Sequence, residues 1–230
     1  MEKLQNGLQF LLDKYSVDAK AVLKDRNTVV IDGVEAPILS YKNERRFIEL
    51  KNIVQGGTLV GLSVMRVAST QNKGTNVFDQ LARELGICQF VLGRKIKTIT
   101  AMQNGEMLNV IAAAEGGVVC TLEIAATLPE GEAPKDKHEI ISQRGIACDV
   151  VVDAQLQQQS VYFFGDKNQS FTDVDFELYG LSKDDVAVVR AAFVAAQNNN
   201  TAELIAEAAE LEAFKKAAAR SVELAERVVL

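Results

Sequence analysis

Apolar side chains recur at helical spacing between residues 77 and 92, and this pattern predicts an amphipathic helix. Leu81 and Leu85 lie on its apolar stripe. Gly93 follows the last apolar residue and is typical of a helix that ends with glycine in the left-handed cap position. The β-branched run at 96–102 then favours a strand.

Alternation of apolar and polar residues predicts much of the remaining chain as strands. The clearest strand is 118–127, where Cys120 and Leu122 face one way and Thr121 and Glu123 face the other. Further strands are predicted at 59–69, 107–114, 138–142, 146–152, 161–164 and 171–178. Because short turns join most of these strands, we expect one large, mostly antiparallel sheet with helices on one face.

The two ends of the chain are predicted to be largely helical. Before the sheet we expect helices at 4–14 and 44–54 and a hairpin over 21–31. After it, Ser182 is a predicted N-cap, and an Ala- and Glu-rich helix is predicted from Thr201 to Leu230. The apolar stripe of this last helix fits docking on the same chain or pairing with a partner helix.

Composition narrows the class of protein. The 230 residues are 48% hydrophobic and 24% charged, with a net charge of −6, as in a globular protein with one sizeable core. The acidic balance argues against nucleic-acid binding, and no apolar run is long enough to span a bilayer. No signal peptide is recognisable, and the three separated cysteines are expected to be buried and reduced, so a cytoplasmic protein is predicted.

The stretch KGTNVFDQLARELGICQFVLGRKIKTITA, residues 73–101, resembles the signature helix of the glucose–fructose oxidoreductase, inositol dehydrogenase and MocA family (Gfo/Idh/MocA). Gly74 matches the first glycine of the family pattern and Asp79 its first aspartate. Leu92-Gly93 matches the L-L-G that follows, and Ile99-Thr100-Ala101 matches the end of the next strand.

Other segments extend the resemblance over residues 37–180. Tyr41, Arg45, Arg46 and Phe47 fit the family segment Y-N-R-R-F, and TLEIAATLP fits a family hairpin. The resemblance implies the α+β second domain of these enzymes. It also implies a homo-oligomer formed through the open face of the sheet.

The family transfers hydride between a nicotinamide cofactor and a sugar or polyol, and the residues for that chemistry are missing from these 230 residues. There is no G-x-G-x-x-G loop for the cofactor and no E-K-P turn that supplies a lysine. Arg83 stands where the family has its catalytic histidine. In an alternative alignment, which matches NVFD to the family's H-x-x-D, Asn76 takes that place instead. Arginine stays protonated and cannot act as a base. No cofactor is therefore predicted, and NAD(P) is expected only if a partner chain supplies it.

Five residues are candidate ligand-binding residues under the resemblance: Asp79, Arg83, Tyr41, Arg45 and Arg46. Asp79 and Arg83 are one helical turn apart, so they are predicted to share a helix face. They form either an anion-binding pocket left from the family's active site or an ordinary ion pair. No catalytic residue is assigned.

The single histidine and a group of three acidic residues are the other candidate functional residues. His138, the one histidine, is expected to be a structural surface residue, and no metal site is predicted. Asp173, Asp175 and Glu177 are predicted to project from one face of a strand, where they form either a site for a hard cation or a solvated face.

The sequence therefore predicts an α+β protein with three segments: a helix–hairpin segment (1–36), a domain like the family's second domain (37–180) and a helical extension packed on it (181–230). The favoured function is a non-catalytic binding or assembly module, in effect a pseudoenzyme. The alternatives are a subunit of an NAD(P)-dependent sugar or polyol oxidoreductase, with the cofactor domain on another chain, and a purely structural homo-oligomer.

Overall fold

The structure is a computed structural model that describes residues 1–150, 160–166, 169–172 and 175–230. The chain divides into two compact units. The first combines Met1–Ile48 with Val174–Glu210, and the second combines Glu49–Asp173 with Leu211–Leu230. These two units are defined by contacts in space. The three segments 1–36, 37–180 and 181–230 are defined by sequence resemblance, and that division stays a prediction.

Helices and strands follow one another along the described chain in nearly the order that the sequence patterns predicted. The helices are α1 (Glu2–Lys14), α2 (Arg45–Gln55), α3 (Val77–Leu92), α4 (Lys183–Asn198) and α5 (Thr201–Leu224), with a 3₁₀ turn at Ser40–Asn43. The strands are β1 (Ala21–Leu23), β2 (Thr28–Ile31), β3 (Val34–Pro37), β4 (Leu62–Asn72), β5 (Ile96–Asn104), β6 (Met107–Ala114), β7 (Val119–Leu128), β8 (Lys135–Ser142), β9 (Gly145–Cys148), β10 (Ser160–Phe164), β11 (Gln169–Thr172) and β12 (Val228–Val229). None of the described helices has both the length and the apolar character that a membrane span needs.

The first unit contains a three-stranded antiparallel sheet in the order β1-β2-β3, with α1 packed against α4. α1 buries the leucines of its predicted stripe, including Leu8 and Leu11. α4 begins at Ser182, whose hydroxyl accepts a hydrogen bond from the Asp185 amide, as the sequence predicted for an N-cap.

The second unit contains a nine-stranded sheet in the order β11-β10-β9-β8-β4-β7-β6-β5-β12. Neighbouring strands are antiparallel except for β4 and β7, which are parallel. Cys120 and Leu122 of β7 are fully buried on the face that α3 covers, whereas Glu123 is exposed on the other face. The predicted α+β class, with one large and mostly antiparallel sheet, is confirmed.

Both ends of α3 are fixed by specific residues, and the sequence predicted the C-terminal one, Gly93. The Asn76 side chain accepts a hydrogen bond from the Phe78 amide and so satisfies a free donor of the first turn. Gly93 adopts φ 64° and ψ 31°, the left-handed conformation that glycine reaches at little cost, and its amide bonds to the Gln89 carbonyl. Cys88, Cys120 and Cys148 are buried and free, as predicted.

Three predicted elements end earlier than expected. Of the strand predicted at 171–178, Phe171 and Thr172 belong to β11, residues 176–178 form bends, and residues 173 and 174 lie outside the described residues. The last helix ends at Leu224, where Ala225 takes φ 53°; Val228–Val229 then pairs with β5. β9 ends at Cys148, and residues 151 and 152 of the strand predicted there lie outside the described residues.

Candidate functional site

The only histidine lies in a buried charged cluster between α3 and the sheet. The His138 Nε2 atom is 2.7 Å from Glu84 Oε2, and its Nδ1 atom is 2.7 Å from Asp149 Oδ2. His138 and Glu84 have no exposed surface, and Asp149 is 3% exposed. We call Glu84, His138 and Asp149 the His138 cluster. The expectation that His138 is a surface residue is wrong, because β8 alternates and residue 138 faces the helix-covered side.

The strands and α3 fix each member of the His138 cluster. The backbone amide of His138 donates to Asp149 Oδ1 at 2.7 Å, so the aspartate is bound at both oxygens. Glu84 Oε1 accepts hydrogen bonds from Arg83 at 2.8 Å and from Gln80 at 2.6 Å. The cluster therefore links one turn of α3 to β8 and to the residue that follows β9.

Opposing effects set the protonation of the cluster. Burial alone lowers the pKa of His138, but the charges and hydrogen bonds of Asp149 and Glu84 outweigh it and raise the pKa to about 10. Burial alone raises the pKa of Glu84, yet Arg83 and His138 hold it below the usual value. The cluster is thus an imidazolium between two carboxylates, and the imidazole is not free to accept a proton from a substrate.

The structure gives Asp79 and Arg83 different ion partners. Asp79 lies in the first turn of α3 and pairs with Lys215 of α5. Arg83, whose side chain is 31% exposed, donates to the buried Glu84. Arg83 is therefore bound to the His138 cluster, while Asp79 helps to attach α5.

The other three candidate residues lie in the first compact unit. Tyr41 is buried and Arg45 is exposed. Arg46 donates from Nε to Glu44 at 2.9 Å and lies over the Phe47 ring at 4.3 Å. Their role in ligand binding stays a prediction, as does that of Asp79 and Arg83.

The acidic residues predicted on one strand face are bonded to Arg190 instead. Arg190 Nε donates to Asp175 at 2.9 Å, and its Nη2 atom donates to both Asp175 and Glu177. Lys14 and Tyr15 also bond to Glu177. Asp175 and Glu177 therefore form an ion-pair network of the first unit, while Asp173 lies outside the described residues.

The open face of the large sheet has a shallow groove of about 510 Å³ across β4, β5, β6 and β7. Its lining mixes small, polar and apolar side chains, including Ala68, Met102, Met107, Asn109 and Ala125. Met102 is 73% exposed and Met107 is 46% exposed. Large apolar side chains left in water on a sheet face favour contact with another molecule.

Sequence reasoning missed the His138 cluster, although part of the signal was present. His138 and Ile140 are two residues apart in a predicted strand, so they share a face, and Ile140 is fully buried. The alternation of β8 therefore indicated a buried side chain for His138. Its partners could not be found this way, because Glu84 lies 54 residues away in the sequence.

No protein-family model matches this sequence, and no curated protein sequence matches it either. Solved structures do match in fold. The inositol dehydrogenase homologue of Azotobacter vinelandii, solved with NADH and myo-inositol, aligns with a TM-score of 0.65 and 12% identity, over 85% of this chain and 64% of that one. An oxidoreductase domain protein from Kribbella flavida aligns with a TM-score of 0.66 and 12% identity, over 83% of this chain and 64% of that one.

A levoglucosan dehydrogenase, solved with NADH and levoglucosan, gives a TM-score of 0.68 at 10% identity, over 84% of this chain and 65% of that one. This chain therefore spans about 64% of the length of the first two structures. At such low identity the likeness establishes the fold. The fold predicted from the signature helix is confirmed as that of Gfo/Idh/MocA-type oxidoreductases, and the partial coverage fits their C-terminal domain.

Proposed function

We propose that this chain is a non-catalytic binding or assembly module built on an oxidoreductase fold. The observation that carries the proposal is the location of its one histidine. His138 has no exposed surface, and both ring nitrogens are 2.7 Å from carboxylate oxygens. Arg83, at the position where the resemblance requires a histidine, is bonded to Glu84 and cannot serve as a base.

Hydride transfer from an alcohol needs a group that takes the hydroxyl proton and lies within hydrogen-bond reach of the substrate. A fully buried imidazole cannot come within reach of a sugar or polyol. The 230 residues also contain no glycine-rich loop of the kind that approaches a dinucleotide pyrophosphate. Both features support a role in binding or assembly rather than in catalysis.

A cofactor and substrate titration tests the proposal. The purified chain is titrated with NAD(H) and NADP(H) to millimolar concentration, alone and with myo-inositol or levoglucosan, while melting temperature and nicotinamide absorbance are followed. We expect no shift in melting temperature and no cofactor turnover, since a ligand stabilises only a protein that binds it. A saturable shift, or NADH formation with either polyol, contradicts the proposal.

Assembly is proposed to occur between copies of this chain through the open face of the large sheet. Met102, Met107 and Ile111 on that face are 73%, 46% and 55% exposed, on neighbouring strands β5 and β6. The small residues Ala68 and Ala125 line the same groove, so a second sheet can approach closely.

Light scattering after size exclusion measures this assembly. We expect the native chain to have the mass of an oligomer and Ile111→Lys to have the mass of a monomer, because a charge in the interface is costly to desolvate. Val22→Lys is the matched control, since Val22 is 56% exposed on β1 in the first unit. A native chain that stays monomeric at about 100 μM, a concentration at which micromolar contacts form, contradicts assembly through this face.

A second candidate is a subunit of an NAD(P)-dependent sugar or polyol oxidoreductase whose cofactor domain lies on another chain. It is favoured by the fact that two of the structural neighbours were solved with NADH and are longer than the aligned region. Purification at native expression level, followed by NADH titration of the recovered complex, distinguishes it. A stoichiometric partner that confers NADH binding supports the second candidate, and a chain recovered alone supports the first.

A further inference from the structure

The His138 cluster has a half-buried neighbour that gives it the composition of a metal site. Asp136 lies two residues before His138 on β8, so both side chains are on the helix-covered side of the strand. One potential ligand atom each from Asp136, His138 and Asp149 lies within 4.8 Å of the others. We propose that these three residues bind one divalent transition-metal ion, with Zn²⁺ as the representative probe, independently of the proposed assembly function and although the sequence predicted no metal.

The donor set selects the class of ion. One imidazole nitrogen and two carboxylate oxygens are typical of Zn²⁺ and related first-row ions, whereas Mg²⁺ and Ca²⁺ prefer oxygen ligands alone. Three protein ligands also leave one position of a tetrahedral ion for water.

The surrounding hydrogen bonds orient the ligands as they do in metal sites. Glu84 Oε2 is the acceptor for His138 Nε2, which leaves Nδ1 directed at Asp149. The His138 amide binds the other oxygen of Asp149 at 2.7 Å. A metal-bound histidine commonly donates its second ring N–H to a carboxylate, and such partners raise affinity about 10–100-fold.

Charge balance also favours a divalent ion. With His138 neutral, the carboxylates of Asp136, Asp149 and Glu84 together with Arg83 leave two negative charges on these five groups. A proton on His138 supplies one positive charge to these carboxylates, whereas a divalent ion supplies two. On binding, the ion replaces the Nδ1 proton, and that proton passes to solvent.

The site must open slightly to accept the ion. The 2.7 Å separation of Nδ1 and Asp149 Oδ2 is that of a hydrogen bond, whereas ligands at about 2.1 Å from a tetrahedral ion lie roughly 3.4 Å apart. Asp136 is the least buried of the three ligands and therefore marks the entry side.

Zinc binding to the EDTA-dialysed full chain tests the proposal. We expect native mass spectrometry to show one Zn²⁺ per chain, and micromolar Zn²⁺ to raise the melting temperature. Asp136→Asn should weaken binding by at least tenfold without preventing folding, because Asp136 is only half buried. His138→Gln should abolish binding if that variant folds.

Two controls separate this site from binding elsewhere. Glu139→Gln changes a neighbouring carboxylate on the opposite face of β8, and Cys148→Ser removes the thiol beside Asp149. Both variants should keep the native affinity. The proposal is overturned if the native chain binds no Zn²⁺, if Asp136→Asn binds it as tightly as the native chain, or if Cys148→Ser abolishes binding.

Discussion

Removal of the imidazolium from the His138 cluster should be among the most damaging single changes in the second unit. His138→Asn deletes the cation that lies between Glu84 and Asp149, each of which is 2.7 Å from a ring nitrogen. The two carboxylates are then left buried. Within the part of the chain that the structure describes, Glu84 keeps its ion pair with Arg83 and its hydrogen bond from Gln80. The variant is to be studied in EDTA, so that no metal ion can replace the lost charge.

The magnitude follows from burial and distance. Glu84 and His138 have no exposed surface, and the loss of one partner of a buried pair typically costs about 3–5 kcal/mol. The two carboxylates, roughly 7 Å apart across the missing ring, repel each other by about 2 kcal/mol at an effective dielectric constant of 20. For a protein of this size, each kcal/mol corresponds to about 2–4 °C in melting temperature.

Urea denaturation and calorimetry measure this free energy of unfolding, with Glu139→Gln as the control. Glu139 is the next residue on β8, but it faces the other way and pairs with Arg66 and Lys137 near the surface, so its loss should cost about 1 kcal/mol or less. The double variant Glu84→Gln with His138→Asn should be more stable than the sum of the two single effects indicates. A cost for His138→Asn no larger than that of Glu139→Gln would refute the reasoning.

Three further predictions concern other contacts. The pKa of Glu177 is lowered to about 2 by hydrogen bonds from Lys14, Tyr15 and Arg190. Its contribution to stability is therefore complete above its ordinary pKa of 4.5 and lost as pH falls towards 2, and acid denaturation of Glu177→Gln should lack this part of the pH dependence. Asn76→Ala removes the N-cap of α3 and should cost about 1 kcal/mol in urea denaturation. Ser221→Ala removes the hydroxyl that accepts a hydrogen bond from the buried Ala101 amide at 2.9 Å. It should cost about 1–3 kcal/mol of unfolding free energy, and the Ala101 amide should lose its protection from hydrogen exchange. Unchanged stability in either variant, or unchanged protection of the Ala101 amide, would contradict these assignments.

The parts of the fold that the sequence predicted are those determined by local interactions. α3 was predicted because its apolar spacing and the glycine at its end are both encoded within twenty residues. The strand β5 was predicted from its β-branched residues, β7 from its alternation, and the Gly116-Gly117 turn that joins β6 to β7 was also local. The place of β7 beside β4, in parallel register, depends on long-range pairings such as that of Val64 with Val119, which no local pattern reports.

The prediction that Asp175 and Glu177 lie on one strand face is wrong, because local hydrogen bonds to the Asp175 side chain favour a turn over a strand. Asp175 Oδ1 accepts hydrogen bonds from the amides of Glu177 and Leu178, a turn that aspartate side chains favour. Arg190 then fixes the turn from α4. Alternation alone cannot distinguish this arrangement from a strand.

The His138 cluster was beyond sequence reasoning for a related cause. Its residues come from α3, β8 and the position after β9, and each is unremarkable in its own segment. Only the tertiary fold brings two carboxylates to one imidazole, and it is this proximity, rather than residue type, that makes the histidine unsuited to proton exchange.

The parallel pairing of β4 with β7 has a consequence for how the protein is made. β4 is the central strand, yet its neighbours β7 and β8 are completed only after the chain has formed α3, β5 and β6. While the chain emerges from the ribosome, β4 has two unpaired edges, and long-range pairings of this kind fold slowly. The interval before β8 is synthesised is therefore when this sheet is most exposed to aggregation, and a chain cut after β6 should need a chaperone to remain dispersed.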